Sequence, residues 1–383
     1  MRVHTRFCFF SRSAGFSENS ASRSMAGLRG GSSPRPSQFR GSRLLVTGAA
    51  VLLIFALGSC AKKEALAEKA PSIAVFVPGM VSGSPIYEQL VAGARQAASE
   101  ISGASVKVVE AGFNQADWLD KLSGLAATGE FDLIVTSNPA MPELCAKVAE
   151  SFPKTRFFIA DGKLEGNPAI HTVLYNQYEQ GYLVGYLAGL LTKGTLKGTN
   201  PELLVGMVVA QSYPTLDLLI KPGFLAGLVA AAPGAKLEER TIGNWFDANK
   251  ASELAQSLMD AGVDIILPIA GGAGQGVVSA VKSKGRYALW FDGGGYALAP
   301  DVILGCAVLK QDRLVYEKTK ALLSPAGKKL YGQAEIVGAK EGYVDFDESG
   351  PAYRALSVSL KAPFEKLLAE FRKGSISFPV KGL

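Results

Sequence analysis

The sequence predicts an α/β fold of two doubly wound lobes, each a parallel sheet covered on both faces by helices, joined by a hinge around an interlobe cleft. Three observations carry this prediction. Short, almost continuously apolar strand patterns alternate with amphipathic helix patterns along most of the chain, as parallel strands buried on both faces require. The alternation runs twice, either side of a long apolar helix pattern at 178–193. About 310 residues take part, enough for two domains that each bury a core.

Taken in order, SIAVFV at 72–77 reads as a buried strand. It leads into a helix from about Ile86, where Leu90, Val91, Ala94, Ala97, Ala98 and Ile101 recur at helical spacing. Strand 105–110, helix 116–127, strand 132–136, helix 141–152 and strand 156–160, ending at Asp161, complete the first set. Beyond helix 178–193 come strand 203–209 (LLVGMVV), helix 215–231 and strand 237–242. Helix 248–261 follows with Ala251, Leu254, Ala255, Leu258 and Met259 on one face, then strand 264–269, helix 274–283 and strand 287–291. The expected division is 71–177 plus 293–340 for the N-terminal lobe and 178–292 plus 341–383 for the C-terminal lobe.

The first 59 residues read as an address. They hold eight arginines, no lysine and a single acid, Glu18, followed by the apolar run LLVTGAAVLLIFALGS at 44–59. That run is shorter than the roughly 18–20 residues a permanent membrane helix needs and fits the apolar region of a signal peptide. Leu57, Gly58, Ser59 and Cys60 resemble a bacterial lipobox, which implies cleavage before Cys60 and acylation of its thiol, as by palmitate. An ordinary signal peptide or an uncleaved anchor is the alternative. Residues 60–70, charged and alanine-rich, suit a solvated tether. Met25 is an alternative start, since residues 1–24 are long and serine-rich for an export signal.

Removing the address changes what composition implies. The whole chain carries +6, but residues 1–59 account for about +7 of it, so the mature protein is near neutral. No electrostatic footprint for nucleic acid remains. His4 lies in the leader and His171 is the only other histidine, which leaves no metal set of the usual kind and little for general-base chemistry. Cys145 and Cys306 sit in apolar stretches and read as buried thiols rather than a disulfide. The expectation is a protein with no catalytic residues, no metal and no resident cofactor.

In open α/β sheets ligands collect beyond the carboxyl ends of the strands. The segments to inspect are therefore 78–87, 113–118, 137–141, Asp161, 175–178, 244–247, 271–276, 292–296 and Lys310. Gly271, Gly272, Gly274 and Gly276 follow a strand and open a helix, but their spacing is not that of a dinucleotide loop and no GK[ST] follows. Close backbone approach to a ligand, or a hinge, is the plainer reading.

Seven stretches in order carry a family resemblance: SFPKTRFFIADG (151–162), YEQGYLVGYLAGLLTK (178–193), GFLAG (223–227), FDANKASELAQSLMDAGVDIIL (246–267), GGAGQGVVSAVKSKG (271–285), LWFDGGGY (289–296) and VILGCAVLK (302–310). The chain resembles the basic membrane lipoproteins of purine-nucleoside-receptor type, substrate-binding components of ABC importers with a type I periplasmic-binding fold. That resemblance implies ligand contact at Asp161, Phe246, Asp292 and Lys310. Carboxylates suit hydroxyl pairs, lysine a carbonyl or sugar oxygen, and an aromatic face a flat heterocycle.

One loop departs from the pattern. Nucleoside-binding relatives carry an Asp, Ser, Phe, Asn run where this chain has Val81, Ser82, Gly83, Ser84, Pro85, Ile86 and Tyr87. The remaining candidates are Tyr87, Asn114, Asn138, Tyr175, Asn176, Trp245 and Gly272. Together they suit a large flat heterocycle bearing a polyol. The spirochaetal branch of the family, which takes riboflavin, is the one the chain looks most like. Riboflavin is thus the expected ligand and a purine nucleoside the alternative, with a separate permease and ATPase as partners. The competing classes are a flavin-dependent periplasmic reductase and an adhesin built on the same scaffold.

Overall fold

The computed structural model describes residues 69–382. The leader, Cys60 and most of the tether lie outside the described residues.

The chain runs β1 (Ser72–Val77), α1 (Pro85–Ser99), β2 (Ser105–Glu110), α2 (Trp118–Ala127), β3 (Leu133–Ser137), α3 (Met141–Ser151), β4 (Phe157–Ala160) and β5 (Ile170–Tyr175). It then enters α4 (Gln177–Leu191) and repeats the plan: β6 (Leu204–Val209), α5 (Lys221–Ala231), β7 (Lys236–Thr241), α6 (Ala248–Asp260), β8 (Ile265–Ile269), α7 (Gly274–Ser283), β9 (Tyr287–Asp292) and β10 (Ile303–Leu309). The last part holds α8 (Gln311–Leu323), β11 (Ala334–Val337), β12 (Val344–Asp347), α9 (Pro351–Ala355) and α10 (Val358–Arg372).

Two six-stranded sheets result, ordered β2-β1-β3-β4-β5-β11 and β7-β6-β8-β9-β10-β12. Each is the same doubly wound order plus one strand from the end of the chain, and only β12 runs antiparallel, against β10. Central strands are buried on both faces: β3 and β8 have no exposed residue. In an order of this kind the chain reverses direction between the first and third strands of each set, which opens a crevice at their carboxyl ends. The loops after β1 and β3, and after β6 and β8, flank those crevices.

The expected division of the chain needs one correction. Strand β10 hydrogen-bonds β9 and β12, so residues 293–309 lie with the second sheet and not in the N-terminal lobe. The backbone returns to the first lobe only at α8, which packs on α1 and β4. Three strands of chain therefore cross between lobes, at Asn176, Lys310 and 338–343. They are bound to one another: Asn176 N donates to Val337 O at 2.7 Å and Lys310 N to Tyr343 O at 2.9 Å. Glu179, buried at the start of α4, accepts from Ala339 N at 2.8 Å and from Phe378 N at 3.3 Å. The C-terminal segment is thus tied into the hinge.

Helices α4 and α5 pack backbone to backbone. A Cβ at Gly185 would lie 2.1 Å from Phe224 O, and one at Gly227 2.1 Å from Tyr182 O, so only glycine permits this spacing. Just before α5 the chain makes a π turn over Leu216–Ile220. Pro222, which has no N–H to give, follows it.

Among the described residues no helix is long and apolar enough to cross a membrane, and no cluster of histidine, cysteine and acids could hold a metal ion. Cys145 and Cys306 are both free and buried.

Candidate functional site

The two sets of loops enclose a cavity of about 1040 Å³, at the upper end of the range that holds drug-sized ligands. The first lobe contributes Tyr87 after β1, Phe113 after β2, Asn138 after β3 and Asp161 after β4. The second contributes Tyr213 after β6, Trp245 and Phe246 after β7, Gly272 after β8 and Asp292 at the end of β9. The symmetry of the sheets thus carries through to the side chains.

Aromatic rings close the cavity from both lobes. Phe113 and Phe246 meet across the gap with centroids 5.7 Å apart at 42°, although each is about half exposed. Deeper in the second lobe, Tyr213 and Trp245 pack at 5.9 Å and 49°. Aromatic faces presented from both lobes suit a flat ring.

Asp161 and Asp292 occupy equivalent places, one residue past β4 and the last residue of β9. Both have left-handed backbones, φ 58° and 67°, a conformation that costs an L-residue roughly 1–2 kcal/mol. Strain held at matching positions beside a cavity marks a site where geometry serves ligand rather than stability. Burial lifts Asp161 to about 7, with the charge of Asp292 adding to the shift. Burial also lifts Asp292, to about 6, against the pull of a hydrogen bond from Gln180.

That bond runs from Gln180 Nε2 to Asp292 Oδ1 at 3.1 Å. The same Nε2 lies 3.2 Å from Ala307 O, and Gln180 Oε1 accepts from Gln177 at 3.2 Å, so the amide is held and its donor aimed. Asp161 Oδ1, in contrast, is shut off from solvent with no hydrogen-bond partner.

Tyr87 is anchored on the other wall. Its hydroxyl donates to Pro78 O at 3.1 Å and accepts from Asn138 Nδ2 at 3.3 Å. Burial, more than the nearby Asp161, pushes this phenol up to about 12. Gln311, the first residue of α8, ties that helix to β3, β5 and α1 within the first lobe. Its Nε2 donates to Ile86 O at 2.7 Å, and its Oε1 accepts from Ser137 Oγ and Tyr175 Oη at 3.2 and 3.3 Å. Gln89 Oε1 accepts from Gln311 N at 3.0 Å while its Nε2 donates to Asp292 O at 3.3 Å.

Of the residues singled out from sequence, Tyr87, Asn138, Asp161, Trp245, Phe246, Gly272 and Asp292 line the cavity. Four do not, and each has a structural occupation. Asn114 caps a short 3-10 turn, accepting from Ala116 N and donating to Asp117. Tyr175 is fully buried under Gln311. Asn176 donates to Phe378 O at 2.7 Å. Lys310 stands at the N-terminal boundary of α8, its backbone N–H bound to Tyr343 O at a hinge crossing. The reading missed the loop after β6, Gln211–Thr215, every residue of which lines the cavity. The rule applied to the other strand ends, extended to strand 203–209, points straight to it. It also missed Gln180, Gln311 and Gln89, whose neutral side chains leave no mark in a sequence.

Two parallel-sheet lobes over a shared, aromatic-lined cleft constitute the architecture of periplasmic solute-binding proteins. A solute-binding protein of an ABC transporter system from Aeropyrum pernix K1 superposes with a TM-score of 0.70 at 20% identity, over 81% of this chain and 93% of that one. Residues 70–373 match the ABC transporter substrate-binding protein family described as PnrA-like, and the chain belongs to that family. Its sequence is 29% identical over 170 residues to a CD4+ T-cell-stimulating antigen of Listeria monocytogenes, an alignment covering 44% of this chain and 45% of the relative. It is 25% identical over 144 residues to an ABC transporter nucleoside-binding protein of Lactococcus lactis, covering 38% of each. In these alignments the chain spans less than half the length of either relative.

Proposed function

We propose that this protein captures riboflavin between its lobes and delivers it to the permease and ATPase of an ABC importer, held at the outer face of the cytoplasmic membrane by a lipid on Cys60. The observation that carries the reading is the cavity itself. At about 1040 Å³ it has room for a drug-sized ligand, and both lobes present aromatic faces to it. Two carboxylates sit where the hydroxyls of a sugar-like chain are best accepted. Val81–Tyr87 lacks the acid and amide that nucleoside-binding relatives carry, which favours a different heterocycle. The family's members bind and release solutes, and a binding role rather than turnover fits a site whose groups face a ligand without a nucleophile and base in contact.

A purine nucleoside is the second reading, favoured by the name of the Lactococcus lactis relative. Isothermal titration with riboflavin and with inosine separates the two. Riboflavin binding with no heat from inosine supports the first, and the reverse result replaces it with the second.

A further inference from the structure

Asp161 and Asp292 are equivalent in fold and unequal in surroundings. Asp292 has a fixed donor on Oδ1 from Gln180, which stabilises its charged form. Asp161 Oδ1 has neither solvent contact nor a partner, and a buried acceptor left bare is among the least favourable states for a carboxylate. A second acid faces it across the same cavity, and the charge of Asp292 further disfavours ionisation of Asp161.

The groups around Asp161 do not relieve this. From α1 comes Tyr87, from β5 Tyr175 and from the loop after β6 Tyr213, all phenols that burial keeps neutral. Glu143 of α3 and Lys163 of the same loop as Asp161 line the cavity with opposite charges, Asp312 stands behind Tyr175, and Asp292 is the charge that acts on Asp161 directly.

We infer that Asp161 enters the ligand complex as the neutral acid, donating its proton in a hydrogen bond to an acceptor atom of the ligand's heterocycle, while Asp292 remains the carboxylate that accepts from the ligand's hydroxyls. The two acids then select opposite chemistry: a ring carbonyl or imine nitrogen at one end and a diol at the other. The neutral carboxyl keeps an acceptor oxygen beside its O–H, so a ring edge that presents an acceptor, alone or next to a donor, is matched, and one that presents donors alone gains nothing from the proton. Ligand capture fixes a proton on Asp161, so affinity falls about tenfold for each pH unit above about 7.5. This deepens the riboflavin reading and rests on it for the identity of the ring.

The test has two arms. In the first, the Asp161 carboxyl of ligand-free protein labelled with carbon-13 aspartate is titrated by NMR, its resonance assigned as the one lost in Asp161→Asn. A midpoint near neutrality is expected; a midpoint in the ordinary carboxylate range overturns the inference. In the second, riboflavin is titrated into wild type, Asp161→Asn and Asp292→Asn between about pH 6 and pH 9. Asp161→Asn is expected to bind with the same affinity across the range and, at about pH 8.5, at least ~5-fold tighter than wild type. That gain cannot arise from misfolding. Asp292→Asn is expected to bind weakly at every pH. Wild-type affinity that stays flat, or Asp161→Asn that follows the wild-type profile, overturns the inference. Absence of riboflavin binding at any pH refutes the ligand reading alone, and the carboxyl titration still decides this inference in either direction.

Discussion

Replacing Asp292 by asparagine should weaken the complex and strengthen the empty protein, and the two effects have separate origins. In the complex the carboxylate accepts from ligand hydroxyls inside a dry cavity, and the loss of charge-assisted hydrogen bonds there costs about 1.5–3 kcal/mol. That corresponds to roughly a 10- to 150-fold rise in Kd. In the empty protein the same acid is lifted from 3.8 to about 6 by burial. Between about pH 4 and pH 6 the folded protein holds a proton that the unfolded chain has released. The stability contributed by this acid is therefore fully present below about pH 4 and is lost as pH rises through that window. Two units correspond to about 3 kcal/mol; water reaching the open side of the cleft reduces the recoverable part to on the order of 1–2 kcal/mol. The assay pairs riboflavin titration with urea unfolding at about pH 7. Asp292→Asn should bind more weakly and unfold at higher urea. Unchanged affinity would remove Asp292 from the binding site, and an unchanged midpoint at pH 7 would contradict the account of its burial.

Phe246→Ala should raise the riboflavin off-rate by about 3- to 10-fold in stopped-flow fluorescence, because it deletes an interlobe ring pair worth about 0.5–1.5 kcal/mol at the closing edge of the cavity. Gly185→Val should lower the thermal midpoint and cost about 1–3 kcal/mol, since its side chain would have to displace Phe224 O from 2.1 Å; an unshifted midpoint would refute the close α4–α5 contact. Glu335 is lowered to about 2, chiefly by His171, whose Nε2 lies 3.3 Å from its Oε1, and then by Lys318. It therefore adds stability above about pH 4.5 that drains away as pH falls toward 2. Glu335→Gln should lower the urea midpoint at pH 7, with the difference from wild type shrinking as pH falls below about 4.

The two sheets were legible because buried parallel strands leave runs such as SIAVFV and DIILPI that no amphipathic helix produces. Strand β5 escaped the sequence pass. His171 and Thr172 break its apolar pattern, although both are fully buried; His171 lies 3.3 Å from Glu335 of the neighbouring β11. The rule that ligand residues follow strand ends led to Asp161 and Asp292, which line the cavity, and also to Asn176 and Lys310, which do not, for one reason. After β5 and after β10 the chain leaves its lobe, so the next residue becomes hinge rather than loop. Spacing along a sequence does not reveal that change of direction. The same blindness placed residues 293–309 in the wrong lobe. Gln180 and Gln311, which fix the carboxylate and the floor, are separated from their partners by 112 and 174 residues, and nothing local distinguishes them from surface glutamines.

The central claim, that the interlobe cleft holds riboflavin, is tested most directly by purifying the mature protein without denaturation and identifying what it releases on unfolding. The account predicts a yellow protein that gives up a green-fluorescing small molecule, one per chain, and takes riboflavin back on refolding. A colourless protein that releases a purine nucleoside, or that fails to bind added riboflavin, would contradict it.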